Sequence, residues 1–119
     1  MNEIEKMYEN VGIKPYKRKY GIYLSLPWGL CEYTQKVDGE YPPFTADKQL
    51  ELIDWFIKNE DDVRIEFDCD DELYYFETVQ DKEKTIGKSL AEALANLINI
   101  YFENFTDTEI EEVKEILEN

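Results

Sequence analysis

Val63-Arg64-Ile65-Glu66-Phe67-Asp68-Cys69-Asp70-Asp71-Glu72-Leu73-Tyr74-Tyr75-Phe76-Glu77-Thr78-Val79 is the stretch that decides the fold. Val63, Ile65 and Phe67 alternate with Arg64, Glu66 and Asp68, the period of a strand with one buried and one wet face. The polar run around Cys69 to Glu72 is a turn, and the aromatic and β-branched residues from Leu73 to Val79 supply the returning strand. So short a link leaves no room for a helical crossover, which makes the pair antiparallel. A third short strand around Lys84 to Ile86 is predicted to complete a meander.

Helices are predicted on both sides of this sheet. Thr45 is a good N-cap, with Asp47 in the first turn, and the apolar residues Leu50, Ile53, Phe56 and Ile57, with Leu52 beside them, predict a helix to about Asn59. Lys48, Glu51, Asp54 and Lys58 fall on the side expected to face water. Phe44, just before the cap, is placed to fold back on Leu50 or a nearby residue as a hydrophobic staple. Downstream, Ser89-Leu90-Ala91-Glu92 is a capping box opening a helix with Leu90, Leu94, Leu97, Ile98 and Tyr101 along one face. Ala91, Ala93 and Ala95 there favour close approach to the sheet. A second box, Thr106-Asp107-Thr108-Glu109, opens a terminal helix lined by Ile110, Val113, Ile116 and Leu117.

Upstream, Ile4, Met7, Tyr8 and Val11 predict a short helix ending at Gly12. Ile22, Leu24 and Leu26 alternate with Tyr23 and Ser25 as a strand stopped by Pro27, with a return strand over Leu30 to Val37 and a turn at Trp28-Gly29. Asp38-Gly39 and Pro42-Pro43 mark a connector. The expected architecture is α+β, an antiparallel sheet of about four to five strands packed against three to four helices. It forms one domain, with the N-terminal helix and hairpin region in 1–40 and a helix-sheet-helix-helix core in 41–119.

Composition fits a folded chain: of 119 residues 43% are hydrophobic and 14% aromatic, which allows a sizeable core and excludes an acidic disordered tail. No apolar run is long enough to span a membrane, and Met1 is followed by Asn2-Glu3-Ile4-Glu5 instead of a basic and then apolar leader, so the cytoplasm is expected. Cys31 and Cys69 are far apart and at predicted strands, and read as reduced thiols in or near the core. Zinc has no support without a C-x-x-C pair or any His. Asp68 and Asp70 have the opening spacing of a calcium loop, but its glycine and distant bidentate Glu are missing. No metal or cofactor is expected. Lacking His, a nucleophile elbow and a phosphate-cradling glycine loop, the chain is read as a non-enzyme.

Charge is the functional signal. Against 13 Lys and Arg stand 28 Asp and Glu, a formal net charge of −15. A surplus this large pushes a compact chain apart through self-repulsion. One concentration comprises Glu60, Asp61, Asp62, Glu66, Asp68, Asp70, Asp71 and Glu72, opposed only by Arg64. Another, Glu103, Asp107, Glu109, Glu111, Glu112, Glu115 and Glu118, is opposed only by Lys114. Each alone is most simply a solvated face that also blocks aggregation. Joined on one side, they would imitate duplex phosphates and occupy a basic nucleic-acid channel of another protein, without touching nucleic acid directly. An alternative site is the basic and aromatic run Tyr16, Lys17, Arg18 and Tyr20, suited to a nucleotide or other small ligand. Its ordinary reading is a solvated loop that offsets the acidic remainder.

The segment Glu40-Tyr41-Pro42-Pro43-Phe44-Thr45-Ala46-Asp47-Lys48-Gln49-Leu50-Glu51-Leu52-Ile53, the block from Leu90 to Ile98 and the ending Val113-Lys114-Glu115-Ile116-Leu117 resemble small proteins of phages and prophages of Gram-positive bacteria. Tyr-Pro-x-Phe-Thr-Ala is the most specific block, and the resemblance spans about the C-terminal two-thirds. It implies no residue roles. It does imply a setting, the host bacterial cell, in which small acidic phage proteins often bind and disable host machinery, and a defence complex of CRISPR or restriction type is the sharpest form of that expectation. A phage structural or assembly accessory is the other role that setting offers.

Overall fold

The computed structural model describes residues 2–16, 20–25, 31–36 and 39–118. Its elements, in chain order, are α1 (Glu3–Asn10), β1 (Tyr20–Ser25), β2 (Cys31–Lys36), α2 (Ala46–Asn59), β3 (Val63–Asp68), β4 (Leu73–Thr78), β5 (Lys84–Gly87), α3 (Leu90–Tyr101) and α4 (Asp107–Glu118), with a single 3-10 turn, Phe102–Asn104, between the last two. The α+β class is as expected. The strands, however, divide into a three-stranded antiparallel sheet, β3-β4-β5, and a separate antiparallel pair, β1-β2. The described residues therefore form no single sheet of four or five strands. Leu26, Trp28, Gly29, Leu30 and Val37, assigned above to the hairpin, lie outside the described residues.

The predicted caps at Thr45, Ser89 and Thr106 form, and Asn2 caps α1 in the same way. Asn2, Thr45, Ser89 and Thr106 each accept a backbone N–H from three residues ahead, satisfying a donor that the first helical turn leaves open. Glu109 completes the second box by accepting the Thr106 N–H at 3.1 Å, whereas Glu92 reaches back to Lys88 N instead of Ser89 N.

Helix α3 is the centre of the protein. Ala93, Leu94, Ala95, Leu97 and Ile98 are fully buried, and the helix packs on β5 and β4 on one side and on α1 on another. Asn99 fastens the contact with α1, accepting from Asn10 Nδ2 at 3.0 Å and donating to the Glu3 carbonyl at 2.9 Å. Met7 and Tyr8 are buried there, so the N-terminal helix belongs to the core rather than to the hairpin region. The Phe56 ring meets Tyr101 edge-on at 4.9 Å and Trp55 meets Phe105 at 5.4 Å, joining α2 to the end of α3.

Three expectations are corrected. On α2 the buried stripe is Lys48, Leu52, Trp55 and Phe56, while Leu50 is 64% and Ile57 42% exposed. The sequence carries two overlapping stripes at helical spacing, and packing selects the one with the larger aromatic surface. Lys48 joins it because its stem is apolar and its ammonium reaches the Leu117 carbonyl, at the negative end of α4, at 2.8 Å. Burial lowers its pKa. Phe44 accordingly turns to Tyr8, ring to ring at 6.4 Å, and not to Leu50.

The second correction concerns β3. Ile65 and Phe67 are 45% and 53% exposed, although they share a sheet face with the buried Phe76 and Thr85. One helix is about 10 Å wide and strands lie about 4.8 Å apart, so α3 covers two strands and leaves the third uncovered. Third, Cys69 is an exposed thiol in the β3–β4 turn and not a core residue.

Candidate acidic interface

Chain topology brings the two acidic stretches together at one point. Glu60 is the C-cap of α2 and Glu109 stands in the first turn of α4, and their carboxyl groups lie near enough to share a proton. Two carboxyl groups bond only if one of them keeps a proton. Burial, the bond to Glu109 and the nearby charges of Glu109 and Asp81 push Glu60 up to about 7 from 4.5. Glu109 moves down, because it accepts from Glu60 and from the Thr106 backbone.

Asp61, next in sequence, is 6% exposed and its Oδ2 accepts the backbone N–H groups of Gln80 and Asp81, both at 3.0 Å. It thereby holds the β4–β5 turn against the entry to β3. Asp81 in turn accepts from the Tyr101 hydroxyl at 2.6 Å, and burial with this bond pushes the Tyr101 phenol up to about 12. Asp81, Glu83, Ile100, Tyr101 and Asn104 line an open depression of about 370 Å³ beside the group. Neither Glu60 nor Glu109 lines it.

The remaining acidic candidates sort by what their oxygens touch. Asp68 accepts from the backbone N–H groups of Asp70 and Asp71, shaping the β3–β4 turn, and Glu112 accepts from Trp55 Nε1 at 2.6 Å. Asp62, Glu66, Asp70, Asp71, Glu72, Glu111 and Glu115 are exposed. The first stretch thus splits into two poles. Glu60 to Asp62 join the last helix at one end of the sheet, and Asp68 to Glu72 sit at the opposite end of β3, roughly 20 Å away at about 3.4 Å per residue. Asp81 and Glu83 belong to the first pole and were missed by the sequence reading. They stand alone in the sequence, and only the β3-β4-β5 order sets them beside Asp61. Among the described residues one ion pair forms between side chains, Lys58 to Asp54 at 2.7 Å. No cluster of three or more His, Cys, Asp or Glu side chains there is arranged to hold a metal ion.

Lys17 and Arg18 lie outside the described residues, and of Tyr20 only the backbone, paired with Lys36, is described. Tyr16 bonds through its backbone, donating to the Glu40 carbonyl at 2.8 Å and accepting from Gly39 N at 2.6 Å.

The shared proton gives a pH dependence. Glu60 binds its proton more tightly folded than unfolded, so its contribution to stability is full below pH 4.5 and is lost as pH rises through about 7. Glu109, shifted down, contributes in the opposite sense and loses its part below 4.5. Glu60→Gln keeps a donor toward Glu109 without a charge. This variant is expected to flatten the fall in stability between about pH 5 and 7 and, after discounting for solvent screening, to gain about 1 kcal/mol at pH 8. Urea unfolding at several pH values measures both, and equal slopes for variant and parent between about pH 5 and 7 would refute the shared proton.

Comparison of the chain with protein-family models, with curated proteins and with solved structures gave no match. No helix among the described residues is long and apolar enough to cross a membrane.

Proposed function

We propose that this chain is a non-enzymatic acidic binding protein whose carboxylate surface occupies the basic nucleic-acid channel of a host defence complex, of CRISPR or restriction type, in a phage-infected bacterial cell. The observation that carries this reading is the junction at Glu60 and Glu109, which brings one pole of the first acidic stretch, Glu60 to Asp62, against the acidic last helix about fifty residues further along the sequence. The near absence of side-chain ion pairs among the described residues supports it, since carboxylates left unneutralised in the monomer retain their full attraction for an Arg- and Lys-lined channel. The binding chemistry follows from counterions. A partner channel built for phosphates exchanges its condensed anions for fixed carboxylates, with fast association and an affinity that falls steeply as salt rises.

The test is capture from host lysate on the immobilised protein at 50 mM salt, followed by elution at 500 mM. The expected result is a nucleic-acid-binding complex that salt releases and that duplex DNA displaces in competition. A captured partner indifferent to both salt and DNA would overturn the electrostatic mechanism.

A further inference from the structure

The uncovered margin of the three-stranded sheet has a built-in complement. Among the described residues β3 is an edge strand, hydrogen-bonded to β4 alone, and on its helix-covered side Ile65 and Phe67 are about half exposed. An edge of this kind is a template for another strand. On the opposite face of the same strand stand Arg64 and Glu66, both exposed, and Arg64 has no ion pair among the described residues.

We propose that β3 is a homodimer interface, pairing antiparallel with β3 of a second copy about a two-fold axis through Ile65. The register is selected by the sequence itself. A two-fold axis perpendicular to the sheet keeps the helix-covered faces on one side, so only registers that set apolar against apolar positions are allowed. Centring on Arg64 sets arginine against arginine, and centring on Glu66 sets glutamate against glutamate. Centring on Ile65 sets Arg64 opposite Glu66 of the second copy, and Glu66 opposite its Arg64, forming two cross-strand ion pairs. On the other face, Val63 meets Phe67 of the second copy, Ile65 meets Ile65, and Phe67 meets Val63. The five residues from Val63 to Phe67 are thus self-complementary in charge on one face and in apolarity on the other. At each end Asp62 falls opposite Asp68, and both copies carry a formal −15, so repulsion opposes the association. Added salt screens that repulsion and strengthens the dimer, the reverse of its effect on the binding proposed above. The two readings stand or fall separately.

Sedimentation analysis of the full chain under reducing conditions, from 50 to 500 mM salt, is the test. A species of twice the 14.2 kDa monomer mass is expected to grow with concentration and with salt. Arg64→Glu and Glu66→Arg each turn both ion pairs into like-charge pairs and are expected to weaken self-association roughly tenfold. Mixing these two variants restores opposite charges at both positions, so a heterodimer of near parental affinity is expected. Far-ultraviolet circular dichroism of each variant verifies the fold. A chain that stays monomeric at high salt, single variants that dimerise as the parent does, or a mixture that fails to recover the dimer would each overturn the proposal.

Discussion

Gly87→Ala is expected to destabilise the protein by about 3 kcal/mol, a large part of the total stability of a small domain. A Cβ at position 87 would lie 2.4 Å from the Ala93 nitrogen and 2.9 Å from its Cα. Both atoms belong to the backbone of α3, so no rotamer change relieves the overlap. Either α3 moves off β5 or the strand bends away from the helix. In each case the buried bond from the Thr85 hydroxyl to the Ala93 carbonyl, 3.0 Å, is stretched as well. Gly12 is the control: its φ of +87° favours glycine, but a Cβ there meets no atom within 4 Å, so Gly12→Ala is expected to cost only about 1 kcal/mol. Urea midpoints at constant m-value measure both. Equal losses at the two positions would mean that α3 is not seated on β5 in this way.

The second large effect concerns binding. Neutralising Asp62, Asp70, Asp71, Glu111 and Glu115 together, as Asn or Gln, is expected to weaken the captured complex by about 60-fold at low salt, taking roughly 0.5 kcal/mol for each exposed charge. Fold stability should hold or rise, because like charges are being removed. These five are chosen because none of their side-chain oxygens is engaged among the described residues, and Glu66 is kept because the β3 pairing proposed above uses it. Asp61, Asp68, Glu109 and Glu112 are spared because each accepts a hydrogen bond that shapes a turn, caps a helix or holds Trp55. Affinity for the recovered partner, titrated at two salt concentrations, is the measurement. An unchanged affinity would place the interface elsewhere.

The parts of the fold that were legible in the sequence are those governed by near neighbours. Thr45, Ser89 and Thr106 act within one helical turn, and their caps form where the residue spacing puts them. The β3–β4 hairpin is equally local, its register following from a short polar turn and strict alternation. What was not legible depends on which surfaces meet. Leu50, Ile53 and Ile57 are spaced as well as Leu52, Trp55 and Phe56, and only the position of α4 and its neighbours decides between them. Lys48 reads as a solvent residue until the Leu117 carbonyl is placed beside its ammonium. Ile65 and Phe67 read as core because alternation reports which side of a sheet a residue faces and not how far a covering helix extends. The same holds for the acidic surface. Its two halves were visible as composition, yet their contact depends on α2 ending where α4 begins, and the part played by Asp81 depends on strand order.

The backbone contacts of Tyr16 with Gly39 and Glu40 have an architectural consequence. The chain leaves the core at Tyr16 and re-enters it at the same place, so everything from 17 to 38 is topologically an insertion into an otherwise continuous α1-to-α2 connection. Of the thirteen basic residues Lys17, Arg18, Lys19 and Lys36 fall within it, against Glu32 and Asp38 of the twenty-eight acidic ones. The insertion therefore has its own charge sign and its own closed ends, and the entropic cost of bridging it grows only slowly with its length. Such a segment is free to diverge, lengthen or be exchanged as a cassette without changing the packing of the helices and the three-stranded sheet.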